Sequence, residues 1–188
     1  MRYDKNHKEL THQRVVEVAS ERFRKEGLDA VGVASLMADA GLTHGGFYSH
    51  FPSKEALVEE AIVAAMETTS MRLTKAAETG GIEALIASYL RPAHRDHPER
   101  GCAAAALCAE IGRHSEATRD AFTEKVRKMT ALIESTLPKP DAATAQAICA
   151  MMIGTLQLSR AVSDPKLSDE ILESGRTAAL ALAKTKRK

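Results

Sequence analysis

Apolar residues recur along this chain at intervals of three and four almost without interruption, and no stretch alternates β-branched and polar residues between turn signals. The pattern predicts an all-α fold. Val15, Val16, Ala19 and Phe23 form one face of a first helix, with Thr11 as its expected N-cap and Gly27 as its stop. Two short helix-sized segments follow: residues 33–41, ending at Gly41, and residues 42–51, ending in aromatics. Pro52 and Ser53 then break the chain, and Ser53 is placed to cap a long helix. That helix has two apolar faces, Leu57, Ala61, Ala64 and Met71 on one, Val58, Ile62, Met66 and Leu73 on the other. Two apolar faces require two packing partners, so this helix is expected to join a small N-terminal unit to a larger C-terminal one.

Gly80 and Gly81 are expected to break the long helix. Beyond them Ile82, Leu85, Ile86, Tyr89 and Leu90 form one stripe, limited by Pro92 or Pro98. Residues 101–114 are Ala-rich and read as a short buried helix. Ser115 can cap the next, whose stripe is Phe122, Val126, Met129, Ile133 and Leu137, ended by Pro138 and Pro140. Residues 141–163 are apolar on two sides, Ile148, Met152 and Ser159 against Ala147, Met151, Gly154 and Leu158. Residues 168–183 carry Ile171, Gly175, Ala178 and Leu182, with Leu172, Ala179 and Ala183 beside them. Two neighbouring helices with surplus apolar faces and small residues predict a self-complementary homodimer interface. The basic residues 184–188 read as a solvated tail.

Two short helices joined by a tight Gly-containing turn are the helix-turn-helix unit, whose second helix enters the DNA major groove. Gly45 and Gly46 each cost roughly 1 kcal/mol of helix propensity, a cost that close approach to DNA would offset. Residues 11–57 resemble the DNA-binding domain of the TetR (tetracycline-repressor-like) family. The match runs without a gap through Thr11, Arg14, Val15, Ala19, Phe23, Gly27, Val33, Leu36, residues 40–42, residues 45–48, His50, Phe51 and residues 53–57. The chain departs from the family at Gly32, where a Ser or Thr cap is usual, at Arg22, usually apolar, and at Met37, commonly Ala.

The resemblance implies a DNA-binding domain at residues 9–69, with its helix-turn-helix at about 32–51, and a ligand-binding and dimerisation domain at 70–188. It implies a transcriptional regulator, a repressor released from a palindromic double-stranded DNA operator by a small-molecule inducer. It also implies that Thr43, His44, Gly45, Gly46, Phe47, Tyr48, His50 and Lys54 form the DNA-binding set. Thr43 and His44 are candidates for base contact, Tyr48 and His50 for phosphates, which position without specifying. Lys54 would add a cation to the positive end of a helix dipole. Phe47 is open to either the DNA face or the core, whereas Phe51 belongs to the core.

Charge gives this reading little help. The chain has 26 Lys and Arg against 25 Asp and Glu, and residues 1–54 hold eight against seven. Phosphate contacts must come from local placement of Arg2, Lys5, Lys8, Arg14 and Lys54. The first ten residues are polar, and no apolar run is expected to approach the roughly 20 residues that span a bilayer. A cytoplasmic protein with no membrane partner is expected.

Three cysteines lack any zinc spacing, and neither a metal nor another cofactor is expected, with or without His94, His97 and His114. Those histidines would line a ligand pocket or sit on the surface. A free Cys is usually a small buried hydrophobe, the reading for Cys108 and Cys149. Cys102 is open to a second one. A Gly-Cys helix start, followed by an acidic residue eight positions on, is similar to a TetR subgroup in which some members sense electrophiles or oxidants through the Cys. Cys102 is thereby a candidate sensor or ligand-pocket residue, and a helix start beside Arg100 would favour its thiolate. A Cys-dependent enzyme would need a Cys–His pair and an oxyanion site. No local signature supports one, so a non-enzyme is expected.

Overall fold

A computed structural model describes residues 5–185, and among them the chain is helical with no strand. The helices are α1 (Lys5–Glu26), α2 (Val33–Asp39), α3 (Lys54–Tyr89), α4 (Pro92–Asp96), α5 (Ala103–Ile111), α6 (Glu116–Ser135), α7 (Ala142–Ala161) and α8 (Pro165–Lys184). A 3₁₀ segment, His44–Ser49, lies between α2 and α3, and a single 3₁₀ turn, Pro98–Arg100, follows α4. Lys186 to Lys188 of the basic tail lie outside the described residues.

The first helix starts earlier than expected. Thr11 is an interior residue of α1, and its hydroxyl donates to the His7 carbonyl at 2.8 Å. Nothing between Lys5 and Thr11 breaks a helix, so the polar stretch simply extends it. Val15, Ala19 and Phe23 of α1 pack with Leu28, Leu36, Met37, Phe47, Phe51 and Leu57 in the core of the N-terminal unit. Arg22, in a slot the family usually fills with an apolar side chain, is paired with Glu26 at 2.5 Å and with Asp39. It therefore ties α1 to α2 from the outside.

Ser53 caps α3 as expected, its Oγ accepting the Ala56 N–H at 3.1 Å. The helical path breaks at Gly80 and Gly81 and resumes to Tyr89. Leu57, Val58, Ala61, Ile62, Met66 and Leu73 are buried, whereas Met71 is exposed. With α1 on one side and α6 on the other, α3 is shared between the two units, and the expected boundary at 69/70 falls inside it.

Ser115 caps α6 by accepting the Thr118 N–H at 3.2 Å. Two caps escaped the periodicity argument: Asp141 on Thr144 N–H (3.0 Å) opens α7, and Asp164 on Lys166 N–H (2.9 Å) opens α8. Contrary to expectation, α7 is long and apolar enough to cross a membrane by length and composition alone. Here it packs between α6 and α8. A Cβ on Gly175 of α8 would collide with Thr155 of α7, so the pair approaches as closely as glycine permits. Ile148, Met152, Leu172, Ala179 and Ala183 are buried, whereas Leu158 is 60% exposed and Ala147 and Ala178 also face outward.

Candidate nucleic-acid interface and ligand region

Helix α2 closes in a Schellman motif. Gly41 has φ +75°, its N–H donates to the Ala38 carbonyl (2.9 Å) and the Leu42 N–H to Met37 (2.8 Å). The chain then winds as a 3₁₀ segment from His44 to Ser49 rather than as the expected second α-helix. Gly45 and Gly46 explain this, since neither supports an α-helix and 3₁₀ turns are short alternatives. The Ser49 hydroxyl bonds the Gly46 carbonyl at 2.7 Å and holds the turn.

This segment displays Thr43, His44 and Gly45 outward, with Tyr48 69% exposed. A Cβ on Gly45 would meet nothing within 4 Å, so its outer side is bare. Two members of the expected DNA-binding set point elsewhere. Phe47 is 1% exposed and stacks on Phe51 at 5.5 Å, because a benzyl group at this position completes the core. Gly46 faces inward, toward Thr43 Oγ1 and Met37 Cε.

His50 is half-buried with an unpartnered, solvent-inaccessible Nδ1. Burial lowers its pKa, and the positive charges of His12 and Lys8 add to the effect. Lys54, expected at a phosphate, donates from Nζ to the Leu28 carbonyl at 2.7 Å. Lys8 and Arg14 are exposed. Arg2 and the side chain of Lys5 lie outside the described residues.

The turn after α1 is held from the C-terminal unit. Glu110 of α5 accepts the Leu28 N–H at 2.6 Å, so both backbone polar groups of Leu28 are engaged. Arg24 of α1 donates from Nε to the Glu99 carbonyl at 2.9 Å. Glu55, in the first turn of α3, accepts from His114 Nδ1 (2.9 Å), Ser115 N–H (3.2 Å) and Thr118 Oγ1 (2.6 Å). Burial alone would raise the Glu55 carboxyl, but the bonds from Thr118, His114 and Ser115 outweigh it and hold the pKa at about 2. Sequence reasoning singled out neither the Glu55 contacts nor the Leu28 contact of Glu110. The available signal was an acidic residue on an otherwise apolar α5, which demands a partner.

Cys102 is the N-cap of α5 and is fully buried. Arg100, expected beside the thiol, turns its side chain to solvent. Cys108, expected to be buried, is exposed, and Cys149 is buried. Burial pushes the Cys149 thiol up to about 12. The Cys102 Sγ lies 3.7 Å from Met66 Sδ, and its backbone N–H donates to His94 Nε2 at 2.9 Å. His94 in turn bonds the Tyr89 carbonyl through Nδ1 at 2.7 Å. These two bonds fix the neutral tautomer with the proton on Nδ1. Burial dominates the pKa of His94, which falls to about 3 despite the Tyr89 bond, and Arg72, Arg160 and Arg91 push the same way. The Nε2 lone pair is occupied by a backbone amide, so it is not aligned as a base for the thiol. His97 sits beside Glu99 and His114 on Glu55. Among the described residues no three His, Cys, Asp or Glu side chains converge as metal ligands.

A groove of about 270 Å³ lies between α3 and α6, lined by Met66, Ser70, Met71, Lys125, Lys128 and Met129. Its Met66 wall is the residue that touches Cys102. Flexible, polarisable thioethers adapt to many ligand shapes, which makes this groove a candidate ligand region.

Residues 15–61 match the family model of bacterial regulatory proteins, tetR family. An uncharacterized HTH-type transcriptional regulator of Bacillus subtilis (strain 168), YfiR, is 28% identical over 86 residues, a match spanning 46% of this chain and 42% of that protein. The fold is similar to that of Escherichia coli NemR in its reduced form, with a TM-score of 0.75 at 22% identity over 92% of this chain and 96% of that one. It is also similar to a TetR-family transcriptional regulator of Cytophaga hutchinsonii, with a TM-score of 0.76 at 21% identity over 96% and 98%. Residues 15–61 thus match the tetR family model, and the chain over more than nine-tenths of its length shares the fold of these solved proteins.

Proposed function

We propose that the chain is a DNA-binding transcriptional regulator that acts as a symmetric dimer on a palindromic operator. The observation that carries this reading is the outward display of Thr43, His44, Gly45 and Tyr48 on a helix-turn-helix whose Phe47 and Phe51 are locked in the core. Thr43 and His44 are assigned to base edges and Tyr48 to phosphate, with exposed Lys8 and Arg14 adding phosphate contacts. The uncovered side of α7 and α8, with Leu158, Ala147 and Ala178, supplies the dimer contact.

A small molecule bound in the C-terminal unit acts as inducer. The route to the DNA unit runs along α5, from Cys102 at its start to Glu110 on Leu28. A shift of α5 moves the turn before α2 and changes the separation of the two recognition segments. Half-site spacing is fixed on DNA, so a changed separation lowers affinity. An electrophoretic shift with duplexes selected from random DNA tests the reading. Retarded palindromes support it, and absence of any bound duplex contradicts it.

A second reading makes Cys102 the sensor of an electrophile. Its support is the contact of Cys102 with the flexible wall of the α3–α6 groove and its position at the head of α5. An adduct there would overpack the alanines Ala103 to Ala105, at a cost of about 1–3 kcal/mol, comparable to a usual allosteric coupling. Cys108 is exposed and so open to any thiol probe, whereas Cys102 is buried. The discriminating variant is Cys102→Ser. Electrophile-driven DNA release that survives this change assigns Cys102 to packing.

A further inference from the structure

Near Cys102 several solvent-inaccessible side-chain donors have no acceptor. Arg72 of α3 has its Nε and Nη2 cut off from solvent and without a hydrogen-bond partner. These two nitrogens share one edge of the guanidinium, whose parallel N–H bonds match the two oxygens of a carboxylate or phosphate. The titratable groups that bear on Arg72 are Arg91, Cys102 and Tyr89, and no carboxylate is among them. Arg160 of α7 donates from Nε to the Arg95 carbonyl at 3.1 Å and from Nη2 to the His94 carbonyl at 2.5 Å, which leaves Nη1 buried and unpartnered. Tyr89 is fully buried, and its hydroxyl has no partner of hydrogen-bonding geometry. Tyr89 interacts electrostatically with Arg160, and the Cys102 side chain is its weak hydrogen-bonding neighbour, short of a formed bond. Two helices, α3 with Arg72 and Tyr89 and α7 with Arg160, thus bring unpaired donors to one region, and His94, held neutral by its two bonds, adds no negative charge.

A buried donor left without an acceptor is destabilising, and more so when it is charged. Glu99 and Asp96 bear on Arg160, but no carboxylate bears on Arg72, and a fold that keeps the Arg72 edge and the Tyr89 hydroxyl in this state is arranged for an acceptor that arrives from outside. We propose that Arg72, Tyr89 and Arg160 form a buried binding site for an oxyanion, a carboxylate or phosphate group whose oxygens take the Arg72 Nε–Nη2 edge and the Tyr89 hydroxyl. Resting on the regulator reading, this site names the inducer's chemistry: an anion. Its position next to Cys102 places it at the head of α5, the helix that ends on Leu28.

The test uses the full chain at constant ionic strength, with chloride as the control and two probes, inorganic phosphate and benzoate. Thermal unfolding and titration calorimetry are read for the parent, Arg72→Met and Tyr89→Phe. The expected result is saturable stabilisation by at least one probe, weakened about tenfold or more in Arg72→Met and by a smaller factor in Tyr89→Phe. Phosphate alone identifies a phosphate ligand, benzoate alone a carboxylate. Should Arg72→Met not fold, Tyr89→Phe, which removes one oxygen atom, decides by the same comparison. No saturable effect of either probe overturns the site, as does equal binding by parent and variants. The same probe is then added to the DNA complex. Release supports both the site and the regulator reading, whereas Arg72-dependent binding that leaves DNA bound keeps the site and removes its inducer role.

Discussion

Glu110 accepts the backbone N–H of Leu28 at 2.6 Å, so the helix that begins at Cys102 ends on the turn that positions α2. Replacing Glu110 by Ala leaves the Leu28 N–H without its acceptor. The expected cost is about 1–3 kcal/mol, the range for leaving a buried donor unsatisfied. Glu110→Gln, which keeps an acceptor oxygen, should cost less. Urea unfolding measures the stability, and amide exchange at Leu28 should accelerate in the Ala variant alone.

Acid should destabilise the protein in two windows. His94 has its folded pKa lowered from 6.5 to about 3, so the unfolded chain binds the proton first as pH falls. Stability is therefore complete above 6.5 and falls between 6.5 and 3, by up to ~1.4 kcal/mol per pH unit. Glu55, lowered from 4.5 to about 2, contributes stability present above 4.5 and lost as pH falls toward 2. Between pH 6.5 and 4.5 only histidines act, so His94→Gln should flatten that part of the stability curve, leaving the smaller slope due to His50, whose pKa is also lowered. An unchanged slope would show that His94 is not held neutral.

On the DNA face, Tyr48→Ala should weaken binding to every site by a similar factor, because a phosphate contact carries no sequence code. Thr43→Ala or His44→Ala should change which sequences are selected, with about 1–3 kcal/mol of discrimination per good base contact. Selection profiles of the three variants check this, and an altered preference in Tyr48→Ala alone would reverse the assignment.

Much of this was legible from the chain because its signals are local. Gly27, Gly41 and Ser53 act through their own backbone or cap, and the breaks at Gly80 and Pro138 need no partner to be felt. Thr11 misled because a capping residue is also tolerated inside a helix when its hydroxyl bonds back one turn. The sequence leaves Phe47 open and points Lys54 at a phosphate for a different reason. Whether an aromatic ring or an ammonium faces DNA or protein depends on what the rest of the fold puts beneath it, here Phe51 for one and the Leu28 carbonyl for the other. Cys108 is exposed because α5 turns that side away from α3 and α7, a fact of tertiary packing rather than of hydropathy.

Ala178→Glu should separate the dimer. The residue lies on the uncovered side of α8, and a carboxylate buried there between copies has no partner. Light scattering should read a monomer, and DNA affinity should drop with it because linked half-sites raise each other's effective concentration. A dimer of unchanged mass would place the interface elsewhere.

The central claim, a dimeric reader of palindromic DNA, is tested most directly by one titration of the full chain against its best selected duplex across a salt series, with stoichiometry read at saturation. A dimeric reader binds as two chains per inverted repeat, with an affinity that falls steeply as salt rises, since each neutralised phosphate releases counterions. One chain per duplex, or an affinity indifferent to salt, would contradict it.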